Sequence, residues 1–290
     1  MHLQTKHKIF IASLAFRVIR IARSITGKSL VGQFKRGDFT WELDLQEVVD
    51  FMIYISGSFE GDLNRFIAKN LGNGDIAMDI GANIGAHTLM MGKSVGQDGH
   101  VYAIEATEYA YKKLIQNIQL NPTIDAHITP THSILSSKEC QKRHIEIHSS
   151  WPFETNEQRH ASHQGVFKTT GAAATTTLDQ IVKTHGLQRL DMIKLDVDGN
   201  EWDVLSGAQE TLSQLQPTIL MEVAPDYHSP EDLKGFYNIH ALLSELDYAF
   251  YTFKGQLLSG TAKEIANSIP NGASQNVVLV PKGANTPIFK

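Results

Sequence analysis

The chain has 290 residues, 42% hydrophobic and 20% charged, ordinary for a globular protein and enough for one large α/β domain with an appendage. Its formal charge is −5, but residues 1–40 hold eight Lys/Arg against Asp38 alone, so the rest is strongly acidic; an acidic body argues against a nucleic-acid substrate, because phosphate contacts need a basic face. Cys140 is the only cysteine, which rules out an intrachain disulfide and fits a reducing, cytoplasmic compartment.

Residues 6–24 are apolar and basic, with Lys6, Ser13, Arg17, Arg20 and Ser24 near one face at helical spacing. The unbroken apolar run 9–16 is too short to span a bilayer. It makes a poor signal peptide too, since Arg17 and Arg20 follow at once and no small-x-small cleavage site appears. Two readings stand: a helix lying on an anionic membrane surface, or one packed on the main domain or a dimer partner with its basic face in water. The second is favoured. Residues 32–44 alternate polar and apolar around Arg36-Gly37-Asp38, a β-hairpin pattern. A short helix is expected within 46–55. Residues 1–57 thus form an N-terminal extension, and 58–290 the main domain.

In the main domain, Ser58 or Gly61 caps a helix carrying Leu63, Phe66, Ile67 and Leu71. Strands are expected at 76–80, 101–104 and 126–129, the last followed by Thr131-His132-Ser133. A helix over 109–120 is stopped by Asn121-Pro122. Residues 136–175 are polar and irregular, an insertion on the substrate side with short strands near 145–148 and 166–167. Thr177-Leu178-Asp179 opens a helix ending near Gly186. A strand at 192–195, one helix over 202–215, a strand at 217–223 ending near Glu222 and a helix at 238–246 follow. The last strands, 248–253 and 277–280, have no helix expected between them. The alternation predicts a mixed α/β sheet ending in an antiparallel hairpin.

The chemistry centres on the loop Gly81-Ala82-Asn83-Ile84-Gly85-Ala86-His87, between a buried strand and a helix. Gly81 and Gly85 allow positive φ and close approach to a ligand, and the helix start offers free N–H groups. Glu105, at the end of the second core strand, suits a bidentate grip on a ribose diol. In the dinucleotide fingerprint G-x-G-x-x-G, Asn83 stands where the second glycine should be, which argues against NAD and a dehydrogenase. The D-x-G-x-N-x-G loop with its distal Glu resembles the first motif of class I S-adenosylmethionine methyltransferases. In that reading Asp79 sits near the amino-acid end of the cofactor, Gly81 and Gly85 make room for it, Glu105 holds the ribose, and Asn83, His87 and Ser133 line the pocket by position.

Further stretches extend the resemblance to the FkbM methyltransferase family: Ser58-Phe59-Glu60, Ile104-Glu105-Ala106, Asn117 and Asn121, Thr177-Leu178-Asp179, the block from Ile193 to Glu201, and Asn276 to Pro281. The match covers roughly residues 40–283. It implies a class I, Rossmann-like, seven-stranded mixed sheet with helices on both faces, S-adenosyl-L-methionine as cofactor, and O-methyl transfer onto a small-molecule or glycan hydroxyl, of a sugar or secondary metabolite.

Asp79, Glu105 and Asp196 all fall at strand C-termini and can converge on one crevice. Asp196 is assigned to the methyl-side floor or the general base, Asp198 to acceptor positioning, and Glu201 to a catalytic role or, equally, to its own helix dipole. Lys194 pairs with a neighbouring carboxylate. No metal is assigned, though Asp196, Asp198 and Glu222 offer an alternative oxygen site for Mg²⁺. His127, His132, His144, His148, His160 and His163 lack ligand spacing, and one of them is a further candidate base. The competing function is a non-catalytic binding module recruited to a membrane or partner by its basic N-terminus; the complete Asp79, Gly81, Gly85 and Glu105 set favours the enzyme.

Overall fold

A computed structural model describes residues 5–138, 146–155, 165–223, 233–270, 274–284 and 287–289. Cys140, His144, His160 and His163 lie outside the described residues.

The extension comprises helix α1 (Thr5–Ile25), the hairpin β1 (Val31–Arg36) and β2 (Phe39–Asp44), and helix α2 (Val48–Ser56). The hairpin turns at Gly37, whose φ is +57°. Strand β2 buries alternate residues, Phe39, Trp41 and Leu43, as a one-sided strand must. These side chains share one core cluster with Phe16 of α1, Phe51 of α2 and the main domain's Leu63 and Phe66, so the extension has no core of its own.

The main domain then runs α3 (Gly61–Asn70), β3 (Ile76–Ile80), α4 (Thr88–Val95), β4 (His100–Glu105), α5 (Glu108–Gln119), α6 (Pro122–Asp125) and β5 (Ile128–Leu135). The hairpin β6 (Glu146–Ser150) and β7 (Val166–Thr169) follows, then β8 (Ala174–Thr176), α7 (Leu178–Thr184), β9 (Met192–Leu195), α8 (Glu201–Ser206), α9 (Gln209–Gln214), β10 (Thr218–Val223), α10 (Leu233–Glu245), β11 (Tyr248–Thr252), α11 (Ala262–Ser268) and β12 (Gln275–Pro281).

The main sheet has the order β11-β12-β10-β9-β3-β4-β5-β8. Only β12 is antiparallel to its neighbours. Seven of these strands are those expected; β8 adds an eighth at the edge beside Ser133–Leu135. Side-chain alternation assigns the two faces. Ala77, Val101 and Ala103 pack under α3, α4 and α5, while Met78, Ile80 and Ile193 pack under α7 to α11. Strands buried on both sides read as unbroken apolar runs.

Three expectations need correction. The helix over 202–215 is two helices, α8 and α9, broken at Gly207, where a Cβ would stand 2.3 Å from the Ser136 carbonyl. The segment joining the last two strands contains α11, held by a capping box in which Thr261 and Glu264 exchange hydrogen bonds. The third core strand does not end at 129 but continues through Pro130 to Leu135. Proline is tolerated there because β8 pairs only from Ser133 onward, so beside Pro130 the strand bonds to β4 alone.

Candidate functional site

The C-terminal ends of β3, β4, β5, β9 and β10 open onto a cleft of about 1770 Å³. Parallel strands all point their C-termini to one side, so loops distant in sequence meet there.

The loop after β3 forms part of the floor. The N–H groups of Gly81 and Ala82 donate to the Ile104 carbonyl at 2.9 and 3.0 Å, pinning the loop to β4. Gly81 has φ +76°, and a Cβ there would lie 1.8 Å from the Asp196 carbonyl. The loop after β9 is thus enough to demand glycine here, and Gly81 also borders the cleft. Gly85, at φ +92°, packs toward Leu114 of α5 and does not line the cleft, so its assignment to cofactor space is corrected. Asn83 does line the cleft, in left-handed backbone at φ +48°.

Glu105 ends β4 where the sequence put it, on the cleft wall. Its Oε2 accepts the Asn83 N–H at 2.9 Å, and its Oε1 accepts the N–H and hydroxyl of Thr107 at 2.8 and 2.7 Å. Burial raises its pKa, and the Thr107 and Asn83 hydrogen bonds oppose the rise. Oε1 thus already accepts two hydrogen bonds, and the lone pair left on Oε2 is the one open to a ribose hydroxyl.

Asp79 is corrected more fully. It is entirely buried and lies beneath the floor, not on it. Its Oδ2 accepts the Thr88 hydroxyl at 2.6 Å. Its Oδ1 faces Lys194 Nζ at 3.3 Å, without hydrogen-bond alignment. Lys194 donates to the Gly81 carbonyl at 2.9 Å and stands 3.5 Å from Asp196. Burial alone would lower the pKa of this ammonium; Asp79, Asp196 and Glu60 instead hold it above the usual lysine range. Asp79 thus anchors the one buried cation of an acidic floor, among the described residues.

The loop after β9 presents Asp196 and Asp198 to the cleft, Asp198 in left-handed backbone at φ +49°. Glu201 does not reach it. Its Oε1 accepts the N–H groups of Val197 and Gly199 at 3.3 and 3.2 Å, so it shapes the loop, and its catalytic assignment is withdrawn. Desolvation by the cleft walls raises the Asp198 pKa well above its ordinary value, with Asp196, Glu201 and Glu222 adding charge repulsion. Its side chain is nonetheless open to the water of the cleft. Glu222, from the end of β10, is pushed up to about 8 by burial and then by Asp196. Among the described residues no three His, Cys, Asp or Glu side chains are grouped to hold a metal ion.

His87 lines the cleft as expected, but with partners the sequence did not reveal. Its Nδ1 meets Asn64 Oδ1 at 2.9 Å and its Nε2 lies 3.3 Å from Glu60 Oε2. The Asn64 amide is oriented by donating to the Phe59 carbonyl at 3.1 Å, so His87 Nδ1 is the donor of that pair. Burial would raise Glu60, but the His87 hydrogen bond and charge, with Lys194, bring it below its ordinary value. Of the other histidines, His132 stacks on Tyr111 at 4.7 Å, and neither it nor His127 borders the cleft; the side chain of His148 is outside the described residues. Ser133 is on the wall, beside Thr175, whose buried hydroxyl has no partner. Glu60, Asn64 and Thr175 are site residues that sequence reasoning missed as such. Only Glu60 carried a signal, as part of Ser58-Phe59-Glu60.

A glycine loop under β3, an acid ending β4 and a single reversed strand in a doubly covered sheet define the class I methyltransferase fold. Residues 79–250 match the Methyltransferase FkbM domain, more than half of the chain, and the protein belongs to the FkbM methyltransferase family. It is 25% identical over 186 residues to hexuronic acid methyltransferase AglP of Haloferax volcanii, covering 64% of this chain and 68% of that one. Among solved structures, methyltransferase FkbM from Methylobacillus flagellatus aligns at TM-score 0.45 and 17% identity, over 72% of this chain and 44% of that one, so the chain spans under half of that protein. An S-adenosylmethionine-dependent O-methyltransferase from Thermotoga maritima aligns at 0.42 and 12%, over 91% and 82%.

The family's methyl donor is S-adenosylmethionine, and the residues present fit it. A sulfonium and an ammonium suit a floor bearing Glu60 and Asp196; the Glu105 carboxylate suits a ribose hydroxyl; and the unpartnered Thr175 hydroxyl offers a polar contact on the wall. A pyrophosphate would meet the same carboxylates and be repelled, which agrees with the loss of the second fingerprint glycine at Asn83.

Proposed function

We propose that the protein methylates a hydroxyl of a sugar or similarly hydroxyl-rich small molecule. The observation that carries this reading is the continuity of one cleft from the Glu105 wall to a water-open acidic arm bearing Asp196, Asp198 and Glu222. Carboxylates accept hydrogen bonds from hydroxyls and can take the proton an attacking hydroxyl must lose. The hexuronic acid methyltransferase among the relatives supports the choice of a sugar.

When bound, S-adenosylmethionine supplies a methyl group on a positively charged sulfur. Glu105 would accept a ribose hydroxyl, Asn83, His87 and Ser133 would border the cofactor, and Asp196, beside Lys194 at 3.5 Å, would lie on the methyl side. Asp198 would position the acceptor hydroxyl, and a carboxylate of this arm would take the proton that the hydroxyl loses on methylation. Glu222, with a pKa near 8, is close to the operating pH, where a general base works best.

Thermal denaturation tests the cofactor. S-adenosylhomocysteine at a hundred times its dissociation constant adds about 2.7 kcal/mol, whereas NAD adds none. Glu105→Gln removes a charged hydrogen-bond acceptor and weakens S-adenosylhomocysteine by about 10- to 100-fold in calorimetry. Undiminished affinity would remove Glu105 from the site. With hexuronic acid glycosides as acceptors, turnover rises with pH toward 8 and Glu222→Gln flattens that rise; a pH profile identical in the variant assigns the proton to Asp196 or Asp198.

A further inference from the structure

Helix α1 presents two apolar faces. One is docked: Ala12 and Phe16 are 5% and 2% exposed, and Phe16 stacks on Phe153 at 4.6 Å and meets Phe51 edge-on at 5.8 Å. The other is bare. Leu14, Val18, Ile21 and Ile25 are 57%, 61%, 58% and 80% exposed. Their spacing of four, three and four residues sets them in one stripe, on the side of the helix opposite Phe16. Docking accounts for the first face and leaves the second without a structural purpose, and four adjacent exposed aliphatic side chains cost solubility unless something covers them.

We propose that this stripe adsorbs on an anionic lipid surface. The charge around it selects that occupant. Arg17 and Lys28 stand exposed near the stripe, and Lys35 on the adjoining hairpin. Residues 1–40 contain a single acid, Asp38, and Lys93 neutralises it at 2.6 Å. A basic helix with a free apolar stripe binds a surface by both terms together, the side chains entering the headgroup boundary and the cations facing anionic lipid. No helix among the described residues is long and apolar enough to cross a membrane, so the contact is peripheral. A second copy of the chain fits worse. Pairing two such helices would bring like charges together, and one stripe is small beside the roughly 800 Å² per partner of a standard interface. Ala12, on the inner face, lines the cleft, so adsorption places the cleft wall about one helix diameter, roughly 10 Å, from the lipid surface.

Co-sedimentation of the full-length protein with phosphatidylcholine vesicles, with and without phosphatidylserine, tests the proposal. Pelleting is expected with phosphatidylserine vesicles only, weakening as salt rises. The double variant Val18→Gln/Ile21→Gln should bind about tenfold more weakly, with unchanged affinity for S-adenosylhomocysteine, so this result stands or falls separately from the cofactor site. Arg17→Gln/Lys28→Gln, which leaves the apolar stripe intact, should also bind more weakly and lose salt sensitivity. The proposal is overturned if full-length protein ignores phosphatidylserine vesicles at low salt, or if both variants bind as the parent does. It is equally overturned if the stripe instead drives a concentration-dependent dimer in analytical ultracentrifugation that Val18→Gln/Ile21→Gln abolishes.

Discussion

At the scale of single residues, the clearest lesson is at Gly81. In sequence it belongs to a loop that approaches a ligand; in the structure its missing side chain is where the Asp196 carbonyl passes. Gly81→Ala therefore forces two backbone segments apart and strains a positive φ, and should cost at least about 3 kcal/mol in urea denaturation. Gly85→Ala, facing the flexible end of Leu114 at 3.0 Å, should cost less. The reverse order would remove the contact with Asp196 as the reason for the glycine. Glu222 gives a pH signature. Its pKa is about 8 in the folded chain against an ordinary glutamate value of 4.5, so between those values the native state holds the extra proton and stability falls as pH rises. Glu222→Gln mimics the protonated form, and should melt close to the parent near pH 5 and several degrees above it near pH 8.5; an equal difference at both pH values would show that Glu222 titrates normally. Glu105 and Asn83 are legible in the sequence because the loop and strand motif places them by short-range spacing. Asp79 and Glu201 are not, since spacing does not say whether a carboxylate faces the cleft or a neighbour behind it.

At the scale of elements, α1 shows why a choice between docking and membrane contact is too narrow. Its sequence reads as one polar stripe on an apolar helix, whereas the apolar remainder divides into a buried half around Phe16 and an exposed half around Val18. Phe16→Ala should cost about 3–5 kcal/mol, while Val18→Ala should stay within about 0.5 kcal/mol; equal losses in chemical denaturation would mean that α1 does not dock through Phe16. The insertion is legible in its two short strands, but not in its anchoring. Glu47 accepts the Ser150 hydroxyl at 2.8 Å and the Trp151 N–H at 2.9 Å, contacts across about a hundred residues that no local pattern encodes. Helix α11 escapes a periodicity reading although Thr261-x-x-Glu264 spells its capping box; its seven residues are too few for a period to register.

At the scale of the whole molecule, alternation and apolar runs predict a mixed sheet with an antiparallel end, and the seven expected strands are all present. What alternation could not supply is the seam between extension and domain. Asn117 and Asn121 of the α5 region close it. Asn121 bonds both the N–H and the carbonyl of Thr40 at 2.9 and 2.8 Å. Asn117 accepts the Glu42 N–H at 2.7 Å and donates to the Ile84 carbonyl at 2.8 Å. In the sequence both asparagines stand out only as part of a family pattern, and their bonds reach back some 80 residues.

Asn117 thereby gives the protein a remote reporter. One amide group touches the glycine loop with its nitrogen and the hairpin with its oxygen, so a ligand that steadies Ile84 also steadies the far partner. The backbone hydrogen of Glu42 should exchange with deuterium more slowly when S-adenosylhomocysteine is bound, although Glu42 does not line the cleft. Mass spectrometry of the β2 peptide reads this directly. Asn117→Ala should uncouple the two, leaving Glu42 exchange fast whether or not the ligand is present; retained protection in that variant would mean the message travels by another route. Occupancy of the site could then be followed from a strand that does not line the cleft, with no acceptor needed.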